Sequence, residues 1–119
     1  MKLCKANISK IANRYGLVQM KQHSKSLHFW TFPECVNFYV ICWNSKQNQE
    51  RITVAKNLYV EDVGTKKGYE LRTQETSYCT IDELEDYLKE IYKQYPTAKL
   101  ELYTKMQEKK LETIKKMFK

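Results

Sequence analysis

The residues able to do chemistry in this chain are few. Two histidines, His23 and His28, and four cysteines, at 4, 35, 42 and 79, supply all the imidazoles and thiols in 119 residues. No two cysteines form a C-x-x-C pair and no spacing matches a zinc site, so neither a metal nor a cofactor is expected. Cys42 sits in an apolar run and reads as a small core residue. Cys79 stands at the entry to a helix, where the dipole lowers a thiol's pKa, but no base accompanies it and a structural role is expected. Gly16, Gly64 and Gly68 are isolated, which removes a glycine-rich phosphate loop. Two histidines leave little for general acid–base work. The chain is expected not to be an enzyme.

Binding chemistry is better supplied. The net charge is +7 and is unevenly spread. Residues 1–51 hold eight Lys/Arg against two acids, residues 52–98 hold six against nine, and residues 99–119 hold seven against three. A basic front and tail thus bracket an acidic middle. Lysine and arginine contact phosphates, and exposed aromatic rings stack on unpaired bases. Lys5, Lys10, Arg14, Lys21 and Lys25 are the phosphate candidates, with His28 and Trp30 for bases. The stretch SLHFWTFPECVNFYVICW, residues 26–43, holds six aromatics in eighteen residues. Trp30 is expected to be partly exposed beside the basic turn. Trp43 is expected to be buried, because its strand is apolar on both alternations. At least three of the five acids between Asp82 and Glu90 need no function of their own, since carboxylates at the start of a capped helix stabilise it through the dipole.

Those residues must be positioned by a single domain, residues 1–119. Residues 5–15 place Ala6, Ile8, Ile11, Ala12 and Tyr15 on one helical face, with Asn7 or Ser9 as caps and Gly16 as the stop. LVQMKQ and SLHFWTF read as two strands separated by HSKS. VNFYVICW reads as a central strand with Val36, Phe38, Val40 and Cys42 on one alternation, of which Phe38, Val40 and Cys42 are expected to face the helices. RITVAKNLYVEDV is long for one strand, and a bulge is expected near Lys56–Asn57. GTKKG is a turn, and YELRT a further strand. TIDE at 80–83 is a capping box, and Leu84, Leu88, Ile91, Tyr92 and Tyr95 form a stripe behind it. Pro96 is expected to stop that helix, and a last one, about 98–118, to dock loosely or bind a partner. The expected fold is α+β: an N-terminal helix, an antiparallel sheet of four to five strands, then two C-terminal helices, in two layers.

One family resemblance bears on function. KIANRYGLVQMKQHSKSLHF, residues 10–29, is similar in order to small HicA-type messenger-RNA toxins, which carry a helix ending at Gly, a strand, and a Gly-Ser-His segment with a catalytic His. The matching segment here is Lys25-Ser26-Leu27-His28, without the Gly and with the His displaced. The resemblance implies a ribonuclease toxin using His28.

The residues favour a non-enzymatic protein that contacts nucleic acid or a nucleoprotein complex through a basic helix and an aromatic hairpin. The alternative is a small inhibitor or adaptor that blocks a host protein, of the sort phages and mobile elements encode; the lysine-, asparagine- and tyrosine-rich composition fits that origin. A homo-oligomer is a further way to cover a sheet apolar on both faces. No run of eighteen apolar residues and no apolar leader are seen, so no membrane partner and a cytoplasmic location are expected.

Overall fold

The computed structural model describes residues 1–118 apart from 22–23, 35–37, 47–49, 63, 65 and 67, with Tyr59 and Tyr69 described by backbone alone. His23, Cys35 and Val36 lie outside the described residues, as do parts of the turns expected at 44–49 and 64–68. In chain order the elements are α1 (Lys5–Arg14), β1 (Val18–Gln19), β2 (Leu27–Thr31), β3 (Tyr39–Asn44), β4 (Ile52–Glu61), β5 (Tyr69–Cys79) and α2 (Ile81–Met117). The strands pair antiparallel in the order β1-β2-β3-β4-β5. The class is α+β.

α1 buries Ile8, Ile11 and Ala12. Its N-cap is Cys4, which makes no side-chain cap bond. Asn7 and Ser9 lie inside the helix instead: Asn7 Nδ2 donates to the Lys2 carbonyl, and Ser9 Oγ accepts from the Trp30 indole. The C-terminus closes as the sequence implies. Gly16 has φ +85°, Gly16 N donates to Asn13 O, and Leu17 N donates to Ala12 O. That pair of bonds is a Schellman closure, which needs the left-handed conformation glycine adopts without a Cβ clash.

α2 starts at the expected box. Thr80 Oγ1 accepts from Glu83 N at 3.4 Å, and Glu83 Oε1 accepts from Thr80 N at 3.0 Å. The Thr80 backbone N–H, and the Thr80 hydroxyl that donates to the same carboxylate oxygen at 2.9 Å, hold the Glu83 carboxyl below its usual pKa. Leu84, Leu88 and Ile91 are buried, whereas Tyr92 is exposed and packs edge-on against Tyr15. The expected break at Pro96 does not occur: one helix runs from Ile81 to Met117. Proline removes one backbone bond and crowds the carbonyl four residues back, a cost of about 3 kcal/mol. Packing on both sides offsets it. Tyr95 stacks on Phe32 with centroids 3.8 Å apart, and Ala98 and Leu102 are buried. Pro96 itself lies on the exposed side.

Both helices lie on one face of the sheet, giving two layers, with α1 and α2 in mutual contact. The register identifies the covered face. His28 pairs with Trp43, Trp30 with Ile41, Ile41 with Val54, and Ile52 with Cys79. All of these are buried, together with Tyr39. The alternation expected for β3 is therefore inverted: Tyr39, Ile41 and Trp43 face the helices, and Val40 and Cys42 face away and are half-buried. Phe38, just before β3, is buried and packs edge-on against Tyr39. The register shift at Lys56/Asn57 matches the expected bulge. β5 runs six residues beyond YELRT because it pairs along β4 to its start, ending at Cys79 opposite Ile52.

Candidate nucleic-acid interface

The seven residues expected at the site fall into separate groups: His28 and Trp30 pack against each other in the core, and the five basic residues are spread over α1 and the β1–β2 connection. Trp30 has no exposed surface, and its Nε1 donates to Ser9 Oγ at 2.9 Å, so its ring is core and not a stacking surface. His28 is 6% exposed and sits between two indoles, 6.2 Å from Trp30 and 5.7 Å from Trp43. Burial, with a smaller contribution from the Lys5 charge, lowers its pKa from the ordinary 6.5. Its Nδ1 is buried with no hydrogen-bond partner among the described residues. The expected exposure of Trp30 and His28 is thus corrected. Their alternation pointed to the face that α1 covers, which sequence alone could not reveal.

The lysines are divided. Lys10 and Arg14 are exposed on α1, in the helical layer, and Arg14 Nη1 lies 3.8 Å from Glu85 Oε1. Lys21 and Lys25 are exposed between β1 and β2, at the margin of the sheet. Lys5 is near enough to His28 to act on its charge, which puts it at the His28–Trp43–Ile52–Cys79 end of the sheet.

What the register assembles is the other sheet face. Phe29 pairs with Cys42, Cys42 with Thr53, and Thr53 with Tyr78. These four residues form one row across four strands. The next row is Val18, Thr31, Val40, Ala55 and Thr76. Neither row contains a charged residue; Thr31 in the second is buried, and Val40, Cys42, Thr53 and Ala55 are half-buried. The aromatic ends of the first row are open: Phe29 is 39% exposed and Tyr78 54%. Three strand spacings separate them, about 14 Å. Arg51 stands over the Tyr78 ring at 5.8 Å from its centroid. Lys46, in the turn after β3, is exposed, with its backbone N–H capped by Asn44 Oδ1. Since Leu27 pairs with Asn44, Lys25 and Lys46 follow that pair towards the same end of the sheet as Arg51.

Phe29, Tyr78, Lys46 and Arg51 were not singled out from sequence. The available signal was parity: once Trp30 is assigned to the core, Phe29 must point the opposite way.

Neither Cys42 nor Cys79 is an activated nucleophile. Cys79 is buried, and burial, with the Glu83 carboxylate adding to it, pushes its thiol up to about 11. The dipole effect expected there is outweighed by desolvation. Burial also raises the Cys42 thiol. Cys4, Cys42 and Cys79 are free thiols. Among the described residues no group of three or more His, Cys, Asp or Glu could hold a metal ion. No helix among them is long and apolar enough to cross a membrane. No family model, no curated protein and no solved structure matches this chain.

Proposed function

We propose that the protein is a non-enzymatic binding protein that takes single-stranded nucleic acid on its open sheet face. The observation that carries this reading is the uncharged row Phe29–Cys42–Thr53–Tyr78, open at its two aromatic ends, with Arg51 on Tyr78 and Lys21, Lys25 and Lys46 around it. A sheet face with exposed rings suits splayed bases, because every base has a face that stacks and none needs to be paired to do so. The surrounding cations supply attraction to phosphates, and the overall +7 charge adds long-range steering. The basic helix plays a smaller part than its sequence suggested, since Lys10 and Arg14 lie in the opposite layer.

A second reading shares the same face. An uncharged sheet surface holding Val40, Cys42 and Ala55 is also what a small inhibitor or adaptor would press against a host protein. Affinity purification from the native host, with and without nuclease, separates the two. Nuclease-sensitive recovery supports nucleic acid, and a nuclease-resistant stoichiometric protein supports the adaptor. Salt titration adds a direct check. Binding to a single strand should weaken with a log–log slope of about −0.7 per phosphate contacted, and replacing Lys21, Lys25 and Arg51 together should flatten that slope.

A further inference from the structure

α2 is 37 residues long, and its second half carries an apolar surface that none of the described residues covers. Leu100, Tyr103, Leu111, Ile114 and Phe118 are all exposed, from 41% at Ile114 to 85% at Phe118. With Gln107 they follow one another at intervals of three and four residues. On a helix of 3.6 residues per turn they form a single stripe about 80° wide. The fold lies on the other side of the helix. Lys105, Glu108, Lys109 and Glu112 line a groove with Glu61 of the β4–β5 hairpin, and the Lys109 stem lies against Gly68. The stripe therefore faces outward, and a partner could lie along it without touching the sheet.

We propose that this stripe pairs antiparallel with the same stripe of a second copy of this chain, about a two-fold axis at Gln107. The intervals from Pro96 to Phe118 read the same in both directions, four, three, four, four, three, four. In an antiparallel pair Pro96 then meets Phe118, Leu100 meets Ile114, Tyr103 meets Leu111, and Gln107 meets its own copy. This register also answers the one polar interruption. A carboxamide both donates and accepts, so two Gln107 side chains facing each other satisfy one another, and a polar residue at such a seam fixes register.

The overlap spans about 34 Å of helix. Covering the five apolar residues removes on the order of 500 Å² per copy from water, about 1,000 Å² in all, near the lower limit for a specific interface. The two tails oppose each other electrostatically, since residues 99–119 hold seven Lys/Arg against three acids. Both facts describe a reversible dimer that strengthens when salt screens the repulsion. The pairing stands independently of the nucleic-acid reading.

Sedimentation of the full chain over about 5–500 µM, which brackets dissociation constants in the micromolar range, should show the mass rising from 14.3 kDa towards twice that value. The rise should be larger in high salt. Leu111→Glu should remain monomeric with an unchanged circular dichroism spectrum. Register is read by oxidation: Gln107→Cys should cross-link to its copy, whereas Leu100→Cys should not, because its two copies lie about 21 Å apart in this pairing and a disulfide requires Cα atoms within about 7 Å. A wild-type chain that stays monomeric throughout would overturn the proposal, even if another protein were found on the stripe. So would dimers that persist in Leu111→Glu, or equal cross-linking at positions 100 and 107.

Discussion

Trp30 and Ser9 are joined by a 2.9 Å hydrogen bond from the indole Nε1 to the serine hydroxyl, which ties the middle of β2 to α1. The bond lets the largest side chain of the core be fully buried without leaving its N–H unpaired. Trp30→Ala should cost about 3–5 kcal/mol in urea unfolding, as large aromatic truncations in cores do. Ser9→Ala should cost about 1 kcal/mol by leaving the indole N–H without a partner. Both tryptophans are buried, so native emission should be blue-shifted and resist iodide. A quenchable, red-shifted Trp30 signal in Trp43→Phe would contradict this packing.

His28 should make stability depend on pH. Its pKa is lowered in the folded chain, so the unfolded chain takes up the proton first. The stability it contributes is fully present above about pH 6.5, its unfolded value, and is lost as pH falls from there through the depressed folded value. His28→Phe removes that loss, and because Nδ1 has no partner among the described residues the substitution leaves no described hydrogen bond broken. Denaturant melts at pH 7.5 and pH 5.5 should show a smaller difference for the variant than for the wild type.

Thr80 and Leu88 test the start of α2. Thr80→Ala should cost about 1 kcal/mol through the lost cap. Leu88→Ala should cost about 2–5 kcal/mol, since the side chain is fully buried between helix and sheet. A near-zero value for Leu88→Ala would reject the buried face assigned to this helix.

Thiol labelling should distinguish the cysteines by burial. Cys79, with its pKa pushed up to about 11, should stay unmodified in the native protein at pH 8 and react on unfolding. Cys4, half-buried at the head of α1, should react faster than Cys79.

Local signals were legible in the sequence wherever neighbours in the chain decide the structure. The Thr80–Glu83 box, the Gly16 stop and the bulge near Lys56 each depend on a few adjacent residues, and each is found where the sequence puts it. Longer-range choices were not legible. Residues 38–43 are apolar on both alternations, so only the docking of α1 and α2 selects Tyr39, Ile41 and Trp43 for the core. Pro96 carries a strong local stop signal, yet Tyr95 on Phe32 and the burial of Ala98 and Leu102 carry the helix through it. The side to which His28 and Trp30 point was not legible for the first of these reasons. Reversing one parity moved His28 and Trp30 inside and brought Phe29 out.

The central claim is that the open sheet face binds single strands through Phe29 and Tyr78. Fluorescence anisotropy with a labelled single-stranded oligonucleotide, at fixed low salt, tests it most directly. Phe29→Ala and Tyr78→Ala should each weaken binding by about 1–3 kcal/mol, the usual worth of a stacked base, while the melting transition stays close to that of the wild type. Lys10→Ala on the helical layer should change affinity much less. Undiminished affinity in the Phe29→Ala/Tyr78→Ala double variant, or no binding by the wild type at low salt, would contradict the account.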